Sequence, residues 1–581
     1  MSPRPLAKPA PWPLILAAML AGVVMGAFGQ RWLPIEERLL DGGLVLSGQV
    51  SYPAQAVMGL FYKGVWTLLY QLGALVLDAG VSYRAANFIF LLMPPAMLTA
   101  AFALFIHGLT GRPLFSLAAA ILCFMNGHFV SLFASSDYPL LGMAWNTPST
   151  HSHGRFGAVL AAFSFAALVG GREALAAFSA VVLVAVHPVI GGYVVTMLAF
   201  GLGVSRLAWH RSISRPVVVG FAAGAGVTLA SLAAFLLLRP AMPDVDEAVN
   251  RTYIGVYSAF WDDHRNRTAT GADLLRVAIL FAVLTLQLLT FLLLRRGRRG
   301  SADAGAAALL AAVAVSTVLY VLQHWGRALL PDIVLRAIPG RLINMQACFA
   351  MAVIVGMTVF VADEIVHRFR HRWQPKTLGS IFVRHPNAIA AAVAVVLAAR
   401  FLPGFVYGVI LTQRDPEMVA AQQMLAEIDS PFWSKVRDLG FDRLVLTAPE
   451  LSMKALRYGR LPIALDTTAI DFVPYLPQTA TALGTLVERG YGVSFFHPPA
   501  ALKFLSVLPP GTGRNYWACL SPGQWQGIAR EFGIAAVLVP ADWTVRLPLL
   551  LSDSNYALHA LPAPASAPAD ATDPPCPVQR N

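Results

Sequence analysis

Charge is scarce in this chain. Only 13% of its 581 residues are Asp, Glu, Lys or Arg, against about 25% in an ordinary soluble domain. That shortage excludes a soluble globular enzyme of the usual kind. Cysteine is scarce too, with four in all, and no two have metal-site spacing, which excludes a zinc-ribbon or finger module. No Walker A, Rossmann or H-E-x-x-H pattern occurs, which argues against ATP-driven transport by this chain alone. The net charge of +12 comes without a basic and aromatic groove pattern, which argues against nucleic acid as a partner. No internal repeat is present.

What the chain has instead is apolar length: 57% of it is hydrophobic. A membrane span needs about 20 apolar residues. Candidate spans are 12–29, 87–107, 114–134, 156–169, 174–189, 190–209, 217–238, 272–294, 304–322, 345–361 and 387–411. The expected fold is an α-helical polytopic membrane protein of about eleven spans. The basic start, Met1 to Lys8, and the apolar run after it resemble a signal peptide, but no A-x-A site follows. The run therefore reads as an uncleaved first span.

The connections are of two kinds. Short ones at 206–215, 295–299 and 367–384 are rich in Arg, whereas longer ones at 30–86, 135–155, 239–271 and 324–344 mix acids, His, Asn and aromatics. Short basic loops mark the cytoplasmic face, which puts the mixed loops outside. This topology requires that 52–77 not cross. That stretch holds Lys63, Gln71, Phe61, Trp66 and Tyr70, a composition suited to one or two interfacial helices.

Past residue 411 the composition becomes that of a soluble domain. Helical patterns at 417–428, 480–489 and 524–532 alternate with β-rich runs at 443–447, 462–465, 493–496 and 535–539. The expected domains are a membrane domain over 1–411, an exoplasmic (periplasmic) α/β domain over 412–562 and a Pro/Ala-rich disordered tail over 563–581. Cys123 and Cys348 fall in apolar segments and read as core. Cys519 and Cys576 both fall outside, where a disulfide between them is open to form.

The mixed loops carry the candidate chemistry. Glu36, Glu37 and Asp41 follow the first span within a dozen residues. They read either as general-base candidates or as a solvated turn paired with Arg31 and Arg38. Asp137 and Tyr138 open the next loop, and His151, His153 and Arg155 close it. An H-x-H pair on extended backbone puts two rings on one side for a divalent metal, but no third ligand stands out. His187 precedes Pro188 at a bend between apolar segments, as a functional residue or a packed neutral ring. Trp261, Asp262, Asp263 and His264 suit a sugar site, with an aromatic face and carboxylates for hydroxyls; the same residues also suit a helix cap. Arg327, Arg336 and Arg341 share their loop with a single acid, Asp332. Arg matches phosphate through paired hydrogen bonds, so this loop suggests an anionic partner, unless acids of neighbouring loops pair it.

This order of parts resembles the GT-C class of membrane glycosyltransferases. It rests on an N-terminal span, an acidic first loop (Glu36, Glu37, Asp41), surface helices at 52–77, many spans and a soluble C-terminal α/β domain. That domain carries the segments Arg457-Tyr-Gly-Arg-Leu-Pro-Ile-Ala-Leu-Asp466 and Phe532-Gly-Ile-Ala-Ala-Val-Leu-Val539. The resemblance implies inverting transfer of a sugar from a polyprenyl-phosphate carrier in a bacterial inner membrane to an exoplasmic glycan or lipid. It implies Asp41 or Glu36 as base, with Asp137, His151 and His264 as alternates, and Arg341 with Arg336 on the phosphate. Tyr138, His153, Arg155, His187, Trp261, Asp262, Asp263 and Arg327 complete the candidate substrate site. A divalent metal stays open, and no other cofactor is implied. The competing readings are a transporter or flippase of a lipid-linked saccharide and a non-catalytic envelope assembly subunit.

Overall fold

The structure is a computed structural model that describes residues 9–29, 40–125, 153–262, 269–295, 300–331, 334–335, 337, 339–369, 430–467, 470–561 and 576. The chain divides into two compact units. The first comprises Met1–Leu39, Ser82–Ala233 and Thr268–Met418; the second comprises Leu40–Val81, Ala234–Arg267 and Val419–Asn581.

The first unit is a bundle of apolar helices: Trp12–Gly29, Tyr83–Thr110, Pro113–Met125, His153–Val169, Glu173–Val186, Pro188–Trp209, Arg215–Leu238, Gly271–Leu294, Ser301–Trp325 and Asn344–Phe369. Among the described residues of the chain, six helices are long and apolar enough to cross a membrane, or seven if the bent pair of the second unit counts as one. The protein is thus a multi-pass membrane protein by helix length and composition, but the described helices do not reach the expected eleven spans. Part of the shortfall has a geometric reason. A helix of 14 residues, such as Glu173–Val186, is about 21 Å long, against about 30 Å of hydrocarbon. The expected span at 387–411 lies outside the described residues.

Small residues set the helix packing, as expected where lipid removes the hydrophobic drive between helices. A Cβ on Gly22 would collide with the carbonyl of Pro95, and one on Gly220 with the carbonyl of Ala174. Gly26 meets Pro95 and Leu92, so the first helix runs antiparallel to Tyr83–Thr110. Tyr83–Thr110 and Asn344–Phe369 lie mostly buried at its centre, whereas Arg215–Leu238 turns nearly all its apolar side chains outward.

The short connections gather at one end. The backbone N–H of Ala10 donates to the carbonyl of Gly170 at 2.9 Å, and Arg172 Nε donates to the carbonyl of Ala10 at 2.6 Å. There Arg112 pairs with Asp363 at 3.0 Å, Arg211 with Glu173, and Arg295 with Asp303 at 3.3 Å. The sequence suggests bare basic loops here; in the fold each of these arginines meets an acid that starts or ends a neighbouring helix.

The second unit is built around a four-stranded sheet: β1 (Leu444–Thr447), β2 (Ile534–Pro540), β3 (Leu549–Ser552) and β4 (Tyr556–Ala560), in the order β1-β2-β4-β3. β1 and β2 are parallel and the other pairs antiparallel, so the sheet is mixed. The expected strands at 443–447 and 535–539 form. Those at 462–465 and 493–496 do not: Ile463 makes only an isolated bridge to Val445. Helices Ala480–Tyr491 and Pro522–Phe532 fall where the pattern puts them. Cys519 and Cys576 form a disulfide, while Cys123 and Cys348 are buried thiols.

Candidate functional site

Each unit assembles one polar centre from the residues singled out by the sequence. In the second unit the centre forms around Asp41, the first residue of the short helix Asp41–Leu46. Two consecutive helices, Val57–Gly64 and Leu68–Asp78, meet at a 100° bend beside it. Of the one or two helices expected over 52–77, two form, and Thr67 caps the second by accepting from the Leu69 N–H. Tight packing of Gly42 on the Tyr70 ring lets the Asp41 helix approach.

Asp41 is only 1% exposed, and Arg457 grips it with two bonds: Nε to Oδ1 at 2.8 Å and a terminal nitrogen to Oδ2 at 3.0 Å. Arg457 ends the helix Ser452–Arg457, and its carbonyl accepts from Arg460, which holds the left-handed φ of 53°. Tyr62 lies between Tyr52 and Tyr70, at ring distances of 6.3 and 6.1 Å. Burial pushes the Tyr52 hydroxyl well above its usual range, and the charges of Asp466 and Asp41 push it further. Asp466 is itself buried, and it and Asp41 act on the same tyrosines, Tyr52 and Tyr62. An ion pair such as Asp41 with Arg457 is costly to bury and very costly to break on one side. As found, both carboxylate oxygens of Asp41 are engaged by Arg457.

Trp261 and Asp262 also belong to the second unit, but differ from the open sugar platform that the sequence suggests. Trp261 closes a five-residue π-helix, Tyr257–Trp261, and is fully buried. Its ring stacks on Phe495 at 5.6 Å and 15°, its Nε1 donates to the Phe495 carbonyl at 3.0 Å, and its own carbonyl accepts from Ser506 at 2.8 Å. Asp262 is fully buried. Asn250 bridges to the Pro477 carbonyl and to Thr481. Asn250 and Trp261 of this loop thus bind residues of the same unit more than 200 positions away.

In the first unit the centre lies at the end of the bundle opposite the paired arginines. His187 sits in the break between Glu173–Val186 and Pro188–Trp209, where its Nδ1 accepts from the Ile190 N–H at 3.4 Å. Burial, helped by the positive charge of Arg341, lowers its pKa to about 4, so it is neutral at pH 7. Gly157 abuts His187, and His153 begins the same helix one turn earlier. Arg341 lies half-buried in the 3-10 turn Pro339–Ile343. Among the described residues its side chain has no hydrogen bond and no acid partner. The turn is pinned to the Ser301–Trp325 helix by Gln323, whose Oε1 accepts from the Gly340 N–H at 2.7 Å. Asn344 follows at the start of the next helix, 6% exposed.

Of the other sequence candidates, Arg327 is exposed in the 3-10 turn Arg327–Leu329. Glu36, Glu37, Asp137, Tyr138, His151, Asp263, His264 and Arg336 lie outside the described residues, as does the side chain of Arg155. Among the described residues no three His, Cys, Asp or Glu side chains group as a metal site. Sequence reasoning missed Arg457, Asp466 and Asn344 as site residues. Arg457 and Asp466 bound a segment already conspicuous as Arg-Tyr-Gly-Arg, and that was the signal available for them.

No family model and no curated protein matches the sequence. Among solved structures, the chain is similar to the arabinofuranosyltransferase AftD from Mycobacteria, determined by single-particle cryo-electron microscopy. The two share 13% identity at a TM-score of 0.44, over 96% of this chain and 40% of that one.

Proposed function

We propose that this protein is an integral membrane glycosyltransferase that moves a sugar from a polyprenyl-phosphate carrier to an exoplasmic glycan or lipid. The observation that most supports this reading is Arg341. At one end of the bundle Arg112, Arg211 and Arg295 each pair with an acid. At the other, Arg341 is half-buried and meets no acid among the described residues. A guanidinium held this way suits an incoming phosphate oxygen, with which it makes paired, charge-assisted bonds. Sugar transfer itself enters through the GT-C resemblance of the part order.

In the proposed reaction an acceptor hydroxyl oxygen attacks the anomeric carbon. The bond from that carbon to the phosphate oxygen breaks, and its electron pair stays on the phosphate. The hydroxyl proton passes to a carboxylate. Arg341 then faces a phosphate that gains charge as the bond breaks, which is where fixed cations lower a barrier most. Neutral His187 beside it can donate or accept a hydrogen bond without adding charge. Asp41, Glu36 and Glu37 stand as base candidates, with Asp41 requiring its pair with Arg457 to open.

An exoplasmic site is consistent with the paired, Arg-bearing short connections at the opposite end. It is also consistent with the Cys519–Cys576 disulfide, a bond that persists in oxidising compartments. The test is transfer from polyprenyl-phosphate hexose and pentose donors in proteoliposomes. The native chain transfers at least one sugar, and Arg341→Gln and Asp41→Asn each lose most of the rate. Full rates in both variants sink the site assignment; binding without transfer by the native chain turns the reading towards a flippase.

A further inference from the structure

The buried amides beside Arg341 are incomplete. Asn344 is 6% exposed, and neither its Oδ1 nor its Nδ2 has a hydrogen-bond partner among the described residues. Gln323, 4% exposed, uses its Oε1 on the Gly340 N–H but leaves Nε2 without a partner among them. Deeper in the bundle Gln346 is complete on one side only. Its Nε2 reaches the Val313 carbonyl at 3.1 Å, Ser316 at 2.8 Å and Thr317 at 3.0 Å, while its Oε1 meets nothing described. Buried polar groups are nearly always satisfied, and each that is not calls for a reason.

Arg341 and Asn344 are three residues apart where a 3-10 turn runs into a helix. That spacing puts them on one face. A cation and an amide with both its functions open thus stand together, and a bare phosphate cannot satisfy both. Phosphate oxygens only accept at neutral pH, which serves Arg341 and the Asn344 Nδ2 but leaves Oδ1 open. A hydroxyl donates and accepts at once. We infer that Asn344 reads a hydroxyl on the group esterified to the phosphate that Arg341 holds, with Gln323 Nε2 donating to a further oxygen. The ligand class is a polyol phosphate, the sugar-bearing form of the lipid carrier and not its bare phosphate. This rests on the phosphate reading of Arg341 and adds the element that selects loaded from spent carrier.

Sites built to bond a hydroxyl reject the analogue that lacks it, because their polar groups are then left unpaired. The test measures equilibrium binding to the full chain in lipid nanodiscs. Its probes are a short-chain polyprenyl phosphate, a panel of the same carrier bearing one hexose or pentose, and inorganic phosphate. The native chain binds at least one glycosylated carrier ten-fold or more tighter than the bare carrier, and inorganic phosphate weakest of all. Asn344→Leu brings the two carriers to within about two-fold, the glycosylated carrier losing far more affinity than the bare one, and its unliganded form melts no lower than the native one. Asn344→Asp keeps the shape but supplies Arg341 with an internal acid, so both carriers weaken. Retention of the sugar preference in Asn344→Leu, or of full carrier affinity in Asn344→Asp, overturns the assignment of Asn344. Arg341→Gln separates the two readings. Unchanged binding of every probe there removes the phosphate reading itself, whereas loss of all carriers with preference intact in Asn344→Leu removes only the hydroxyl reading.

Discussion

The two ends of the helical bundle treat arginine in opposite ways. At the end of the short connections, Arg295 faces Asp303, which is fully buried, and Arg112 and Arg211 face Asp363 and Glu173. At the other end, Arg341 has beside it a neutral His187, open amides and, among the described residues, no acid. The first arrangement stabilises a fold, because each charge is neutralised within the chain. The second leaves a charge for something that arrives. Composition alone would score all four arginines alike.

That contrast can be broken by substitution. The largest effect is expected at the paired end: Arg295→Leu removes a cation 3.3 Å from the buried Asp303, which costs about 3–5 kcal/mol. Thermal unfolding in detergent would show a large drop in Tm, with transfer per folded molecule unchanged. At the open end, Arg341→Gln lowers transfer on the order of 10²-fold, the scale for removing one donor from developing charge. Stability there shifts by less than about 0.5 kcal/mol. If both variants lose stability equally, the contrast is wrong.

The third prediction uses pH. The folded pKa of His187, about 4, lies below the usual histidine value of 6.5. The unfolded chain therefore binds a proton first as pH falls, so stability is full above about 6.5 and declines towards 4. His187→Asn should flatten that part of the stability profile; an unchanged slope would show that His187 is not the group. The smallest effect is expected at Arg251, whose pair with Glu247 at 2.9 Å is exposed on both sides. Arg251→Ala should cost no more than about 0.5 kcal/mol by chemical denaturation, as helix-surface pairs do. A larger loss would mean that exposure is a poor guide to which arginines matter.

Much of the fold was legible in the sequence. The first helix begins and ends where the apolar run does, Trp12–Gly29, and 52–77 breaks into two helices at Val65 and Trp66. Both readings rest on local hydrophobicity and a local turn. The short β-rich runs were less secure: 493–496 packs Phe495 on Trp261 and Tyr253 instead of joining the sheet, a preference set by distant aromatics. The loop 239–271 misled for the same reason. Its Asn, Tyr and Trp look like surface chemistry until the residues they bind, more than 200 positions away, are known.

The sequence by itself determined where the chain is apolar, where it turns and which loops concentrate polar residues, because these follow from short-range composition. Only the tertiary structure decided which charges are answered. Asp41 and Arg457 are 416 residues apart, and nothing local to either indicates the other. Arg341 and Asn344 matter through missing partners, and a missing partner is defined only when every neighbour in space is known.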